Sequence, residues 1–381
     1  MKLAKSNAQT SRPSDLDFMR RALRLARRGF GRTSPNPMVG AVLVRDGAVI
    51  GQGWHRRAGQ PHAEIEALSN SGNKARGATL FVTLEPCCTH GRTPPCTDAI
   101  IAAGVRRVVA AARDPNPAHS GKGLEILERA GIAVGTGLLS EEAAELNEAF
   151  NHWIVNRTPF VTIKAAMSLD GKIAASNGQS KWITREKARA WGMRLRAGAD
   201  AILVGVNTIA RDNPSLTARL ASFNDKPLRR IILDPRARSP LEAKVYSDAH
   251  APLTTLVVTQ AAPKRRVKAF SAHVRVLEAP ERNGLIDLRW LARKLGHEDV
   301  TSLLVEGGGE TNASFLAAGL AHRIAFFYAP MVLGGHGAPK AVGGKGVSRL
   351  SNGITLCEAA WRRLGPDLLL TARVNKTAHY Y

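Results

Sequence analysis

Leu16, Met19, Leu23 and Ala26 recur at helical spacing, behind a Ser14 that has Asp17 three residues on. The pattern predicts a helix with a capping-box-like start, stopped at Gly29. The period then shortens. Residues 39–44 and 48–50 read as strands joined by Asp46-Gly47, a strong two-residue hairpin signal. A short helix is expected over 63–69, after Pro61. A strand over 79–84, a helix over 97–103 and a strand over 107–112 follow. Helices over 124–130 and 141–152 complete this half. Strands alternating with helices imply a layered α/β domain.

Near residues 156–159 the pattern restarts. Strands are expected over 160–164, 201–206, 230–233, 254–258, 302–306 and 323–328. Helices are expected over 184–196, 285–295 and 311–318. This half too is α/β. The organisation expected is a mobile tail over 1–14, one domain over 15–157 and a second over 158–381. No repeat of fixed period is visible.

Composition narrows the field. The 381 residues are 44% hydrophobic, enough for each half to bury a core. No apolar run reaches the roughly 18 residues of a spanning helix, and the first residues lack a signal peptide's apolar stretch. A cytoplasmic protein with no membrane partner is expected. The formal charge is +23. Such a balance attracts anions, phosphorylated small molecules among them. The Lys and Arg residues are spread along the chain, however. Their densest run, residues 19–28, falls on the first helix opposite an apolar face, where a solvated basic face suffices.

Cysteine placement says more. Of Cys87, Cys88, Cys96 and Cys357, three fall in one short segment beside histidines and prolines. A disulfide scaffold would spread them over a smaller chain. Clustering favours a metal site. Pro61-His62-Ala63-Glu64 lies upstream. His62, Cys87 and Cys96 supply three zinc ligands, and a catalytic zinc keeps a fourth position for water. Glu64 can then shuttle protons without binding metal. That is the chemistry of hydrolytic deaminases. His62 and Cys96 each precede a predicted helix, whose N-terminus favours a thiolate, and Cys87 directly follows a strand. Cys88 is expected to be structural, Cys357 a core residue, and His55 and His119 unassigned surface or loop residues.

Nucleoside and nucleic-acid deaminases usually carry Pro-Cys-x-x-Cys. Here eight residues separate Cys87 from Cys96, including His90-Gly91-Arg92-Thr93-Pro94-Pro95. That longer loop, with Ser34-Pro35-Asn36-Pro37-Met38-Val39-Gly40 and Asp114-Pro115-Asn116-Pro117, resembles the deaminase half of the bifunctional riboflavin-biosynthesis deaminase/reductase family. Cys88 departs from the serine frequent there. The resemblance implies a cytidine-deaminase-like three-layer domain, one zinc ion per chain, and Asn36, His90 and Arg92 as contacts for base and ribose phosphate.

The second half has no Gly-x-Gly-x-x-Gly after a strand, so a standard dinucleotide fold is not supported. An apolar strand does run through Glu306 into Gly307-Gly308-Gly309 and a helix. Such a turn lets amide N–H groups approach a phosphate; equally, it is simply a tight turn. Residues 162–174, 180–184, 202–208 and 210–217, with Arg219, resemble the family's reductase domain in order. That domain is dihydrofolate-reductase-like α/β. By this resemblance Ala166, Trp182, Thr208, Asp212 and Gly308 face NADPH, while Ser180, Arg196, Leu216, Arg219 and Glu306 face substrate.

The implied function is zinc-dependent deamination of 2,5-diamino-6-(5-phosphoribosylamino)pyrimidin-4-one, then NADPH-dependent reduction of its ribosyl group to ribityl. A homo-oligomer is implied too. Two other readings compete. A nucleic-acid deaminase would want a short Cys-x-x-Cys and stacking aromatics, which here are only 5% of residues. A structural-zinc protein would draw a fourth ligand from Cys88 or His90.

Overall fold

Alternating burial along the strands shows how each half is built. In the computed structural model, which describes residues 13–90, 94–223 and 226–375, Ala41, Leu43, Leu80 and Val82 face one core. Their neighbours Val42, Val44 and Phe81 face another. A strand turns successive side chains to opposite faces, so both faces of this sheet are covered. Most of the expected tail, and Arg92, lie outside the described residues. Tertiary contacts divide the chain between Val155 and Asn156.

In the first unit Ser14 caps α1 (Asp15–Ala26) with both reciprocal bonds of a capping box. β1 (Gly40–Arg45) and β2 (Ala48–Trp54) form the expected hairpin. Asp46 and Gly47 both have positive φ, 52° and 77°. Then come α2 (Ala63–Ser71), β3 (Thr79–Val82), α3 (Cys96–Ala102), β4 (Arg107–Ala110), α4 (Lys122–Arg129), β5 (Ala133–Thr136), α5 (Ser140–Leu146) and α6 (Glu148–Asn156). The sheet order is β2-β1-β3-β4-β5, with β1 antiparallel to its neighbours and the rest parallel. Ala63, Ala67, Ile100 and Leu124, from α2, α3 and α4, pack on one face. Phe18, Met19, Ala22 and Ala143, from α1 and α5, cover the other. This is the three-layer arrangement expected.

α2 sits unusually close to β2. A Cβ at Gly51 would stand 2.2 Å from the Ala67 carbonyl oxygen, and one at Gly53 would stand 2.3 Å from Glu66. Those two glycines set the depth at which α2, with His62 at its head, lies on the sheet. The single helix expected over 141–152 is two. Asn147 interrupts it and uses its amide to accept from the Met38 N–H at 2.8 Å and donate to the Met38 carbonyl at 2.9 Å.

The second unit contains β6 (Phe160–Ser168), α7 (Glu186–Gly198), β7 (Ala201–Gly205), α8 (Val206–Asp212), β8 (Arg229–Leu233), α9 (Lys244–Ser247), β9 (Thr254–Val258) and α10 (Lys264–Ser271). β10 (Arg275–Glu278), β11 (Glu281–Arg282), β12 (Leu285–Ile286), α11 (Leu288–His297), β13 (Ser302–Val305), α12 (Gly309–Ala317), β14 (Arg323–Ala329), β15 (Leu356–Leu364) and β16 (Asp367–Val374) follow. Nine strands form one sheet in the order β10-β9-β8-β7-β13-β6-β14-β16-β15. All neighbours pair in parallel except β14 with β16 and β16 with β15, which are antiparallel. Ala201 and Leu203 face one core, Ile202 and Val204 the other, so helices cover both faces.

Two expectations change here. The helix placed over 285–295 starts at Leu288, because Asp287 accepts from the amides of Arg289 and Trp290 and caps it there. Leu285 and Ile286 belong to a small hairpin instead. Cys357 is exposed rather than core, because β15 is an edge strand with eight of its nine residues uncovered.

Candidate active sites

Three elements converge in the first unit. His62 is the N-cap of α2, in extended backbone (φ −72°, ψ 164°). Cys96 is the first residue of α3, after the capping Pro95. Cys87 stands five positions beyond the end of β3 rather than directly after it. It is fixed even so: its carbonyl accepts from the Thr97 amide at 3.2 Å, and its sulfur accepts from the Cys96 amide at 3.4 Å. His62 Nδ1 lies 3.3 Å from Cys96 Sγ and 3.5 Å from Cys87 Sγ. All three donor atoms lie within 4.8 Å of one another.

One imidazole and two thiols so close are a donor set suited to zinc. Among the described residues this metal-ligand cluster has no fourth member. Cys88 turns away, with its sulfur 3.6 Å from His119 Nδ1. His90 is exposed. The Cys96 hydrogen bond holds Cys87 down at about 4 against the effect of burial, and His62 adds to it. The same bond, with burial, pushes Cys96 well up.

Glu64 lies in the first turn of α2 and is 3% exposed. Burial pushes its carboxyl up to about 7, against the pull of His62. A carboxyl there exchanges protons near neutral pH, as a general acid and base must.

Asn36 is held by a residue that sequence reasoning left on the surface. His55 is 2% exposed. Its Nδ1 lies 3.1 Å from the Pro61 carbonyl oxygen, its Nε2 3.1 Å from Asn36 Nδ2. A carbonyl can only accept, so Nδ1 carries the proton. Nε2 therefore accepts from the Asn36 amide, and Asn36 Oδ1 is left as a fixed acceptor. The partner of His55, Asn36, is 19 positions back in sequence, beyond any local pattern.

Glu85 was also missed. It is 3% exposed and accepts from the amides of Asp114, Gly121 and Gly123, at 3.1, 2.9 and 3.0 Å. This pins the Asp114-Pro115-Asn116-Pro117 loop to the segment carrying Cys87. Its position two residues before Cys87 was the available signal.

In the second unit a cavity of about 790 Å³ opens at the C-terminal ends of the strands, where open α/β sheets bind ligands. Ser180, Thr208, Asp212 and Gly308 all line it. Ser180 Oγ donates to Asp212 at 3.1 Å. Gly308 is the N-cap of α12, and a Cβ there would meet nothing within 4 Å. The expected glycine turn therefore opens onto the cavity. Ala166 and Trp182 are not among its lining residues. Ala166 packs against a small core, and Trp182 is 69% exposed with the Arg189 guanidinium 4.7 Å above its ring.

A separate charged group gathers four of the remaining residues. Arg196 Nε and Nη2 donate to the two oxygens of Glu306 at 2.8 and 2.9 Å, and Nη1 donates to the Thr217 carbonyl at 3.0 Å. That last bond ties the pair to the segment bearing Leu216 and Arg219. Lys164, unassigned from sequence, also donates to Glu306, at 3.4 Å. Burial pushes Glu306 up, but Lys164 and then Arg196 outweigh it and hold the carboxyl at about 2. Leu216 is buried with φ 52°, and Arg219 is exposed.

Known proteins share both halves. Residues 12–112 match the cytidine and deoxycytidylate deaminase zinc-binding region, and residues 159–370 match the RibD C-terminal domain. The riboflavin biosynthesis protein RibD of Aquifex aeolicus is 45% identical over 94% of this chain and 98% of its own. Its Escherichia coli counterpart is 40% identical over 93% and 97%. The chain belongs to the RibD family. Solved RibD structures agree. That of Acinetobacter baumannii has a TM-score of 0.85 and 35% identity, covering 95% of this chain and 99% of its own. A Thermotoga maritima protein titled as a diaminohydroxyphosphoribosylaminopyrimidine deaminase/5-amino-6-(5-phosphoribosylamino)uracil reductase has a TM-score of 0.80 and 36% identity, covering 94% and 98%. The chain is accordingly a bifunctional deaminase and reductase of riboflavin biosynthesis, with a RibD zinc-binding deaminase half and a RibD reductase half.

Proposed function

We propose that the first unit hydrolytically deaminates 2,5-diamino-6-(5-phosphoribosylamino)pyrimidin-4-one and that the second reduces the ribosyl group of the product to ribityl with NADPH. The observation that carries the reading is His62, Cys87 and Cys96 gathered beside a buried Glu64. His62, Cys87 and Cys96 would hold zinc, which would supply Lewis acidity to a water. Glu64 takes one proton from the attacking water and passes it to the ring nitrogen, then carries the second, from the new hydroxyl group, to the amine, which departs as ammonia as the C–N bond breaks. Asn36 Oδ1 accepts from an N–H of the base. Exposed His90, and Arg92, complete the contacts to base and phosphate.

NADPH would supply the hydride in the second unit. Thr208, Asp212 and the Gly308 turn would hold it along the cavity, with Ala166 and Trp182 as further contacts. Ser180 and Leu216 position the substrate. Arg196 spends three of its N–H groups on Glu306 and Thr217, so the free guanidinium of Arg219 is the better grip for the substrate phosphate. Glu306, kept ionised by Lys164 and Arg196, accepts hydrogen bonds from substrate hydroxyls. None of the described helices is long and apolar enough to cross a membrane. We place the protein in the cytoplasm as a homo-oligomer acting on small phosphorylated pyrimidines, not on nucleic acid.

The test is metal content and turnover together. Purified protein should carry one zinc per chain and release ammonia from the diaminopyrimidine. The variants H62A, C87S and C96S should lose both. Ammonia release without bound metal would overturn the deaminase half of the reading.

A further inference from the structure

A buried arginine in the second unit holds more than the core. Arg230 on β8 is fully buried, and all five of its N–H groups are engaged. Nε donates to Thr254 Oγ1 at 2.8 Å. Nη1 donates to Asp248 Oδ2 at 2.8 Å and to the Ser215 carbonyl at 3.0 Å. Nη2 donates to Asp248 Oδ1 at 2.8 Å and to the Val245 carbonyl at 2.7 Å.

A buried Arg–Asp pair is weak evidence of stabilisation, because apolar residues of similar volume often hold a fold as well. What the pair supplies is direction. Asp248 is the C-cap of α9, Val245 lies within α9, and Thr254 opens β9, the strand paired with β8. Bonds to these three residues set the guanidinium plane. The remaining bond leaves this group of elements for Ser215, in the stretch that follows α8.

That stretch is pinned at alternate residues. Asn213 ends α8 with φ 40°, and its Oδ1 accepts from the Lys244 amide at 2.9 Å. Arg230 holds the Ser215 carbonyl, and Arg196 holds that of Thr217 at 3.0 Å. Leu216, between the two held carbonyls, is buried with φ 52°. A bulky side chain avoids that backbone conformation and keeps it only where its surroundings impose it, and such residues gather at binding sites. Arg196 also donates to Glu306 at 2.8 Å. One of the two arginines flanking Leu216 thus reaches the candidate substrate carboxylate itself. Exposed Arg219 follows in the same stretch.

We propose that Arg230, oriented by Asp248, is a positioning residue of the reductase: together with Arg196 it fixes the segment that presents Leu216 and Arg219 to the phosphorylated substrate. This rests on the reading of Leu216 and Arg219 as substrate contacts. Arg230 acts through the Ser215 carbonyl, so its loss weakens substrate binding and spares the hydride step.

Steady-state reduction of already deaminated substrate by the full-length protein, with NADPH binding measured beside it, tests the role. R230M should raise the substrate KM roughly tenfold and leave kcat and the NADPH dissociation constant unchanged. R230K, which keeps a charge for Asp248 and donors for the carbonyls, should recover part of the loss. N213G removes the Asn213 side-chain bond at an exposed position whose positive φ suits glycine. It should raise KM in the same direction, and it decides the matter if R230M does not fold. R219A should also raise KM, and adding R230M to it should raise KM little further, because both act through one segment. Raised KM in R219A with unchanged KM in R230M and N213G would overturn the positioning role and leave the contacts standing. Unchanged KM in all three removes the contacts and the positioning role together. Equal loss of substrate and NADPH affinity in R230M and R230K would mark Arg230 as a support of the fold alone and overturn the proposal.

Discussion

Glu64 is a buried acid two residues beyond His62, and burial pushes its carboxyl up to about 7, where it can carry a proton at neutral pH. Replacing it by glutamine keeps the shape and removes the proton. E64Q should lose about 10²–10⁴-fold in deamination rate, keep its zinc, and still reduce substrate that has already been deaminated. Ammonia release and NADPH loss, followed separately, check this. Glu306 is the counterpart in the second unit. Its carboxyl sits at about 2, below the ordinary 4.5, so its ionised form is favoured by folding. The stability it contributes is whole above about pH 4.5 and fades as pH falls toward 2. E306Q leaves Arg196 and Lys164 without their counter-charge and should cost about 3–5 kcal/mol at pH 7. Urea unfolding of the wild type and E306Q should show that gap narrowing below pH 4.5.

At this scale the sequence was legible where the chemistry is local. His62 and Glu64 are two residues apart, and the Cys87 to Cys96 loop is a single stretch of text. It was illegible where partners are distant. Nothing near His55 announces that its ring nitrogen pairs with the Asn36 amide, and Arg196 and Glu306 are 110 positions apart. Both arginine and glutamate could be named as substrate contacts, but not as partners of each other. Cys357 was misplaced because the exposure of an edge strand is decided by which strand pairs with it.

Among elements, the decisive contact is α2 on β2, because α2 carries His62 at its head and Glu64 in its first turn. A Cβ on Gly53 would collide with Glu66 Cβ at 2.3 Å and the Ala63 carbonyl oxygen at 2.7 Å. G53A should push the helix outward, destabilise the unit by about 1–3 kcal/mol and weaken zinc retention. Chemical denaturation and metal analysis measure both. Strongly periodic elements such as α1 and the β1–β2 hairpin could be read directly. β5 could not, because Ala133-Val134-Gly135-Thr136 is only four residues long and half of it, Ala and Gly, is depleted in strands. The break between α5 and α6 escaped notice because Asn147 is spent on Met38, 109 positions away. β15 and β16 pair with each other at the end of the sheet, and β15 presents no alternating buried face to read.

In the whole molecule two chemistries share one polypeptide, the deaminase half first and the reductase half second. The +23 charge fits substrates that carry phosphate. Removing zinc with a chelator should abolish ammonia release and spare reduction of pre-deaminated substrate. The most direct test follows both products in one reaction, started with freshly made 2,5-diamino-6-(5-phosphoribosylamino)pyrimidin-4-one, zinc-loaded protein and NADPH. Ammonia should appear first, and NADPH absorbance should fall only as the deaminated product accumulates. Ammonia with untouched NADPH would contradict the reductase half, and no ammonia from folded, zinc-loaded protein would contradict the account as a whole.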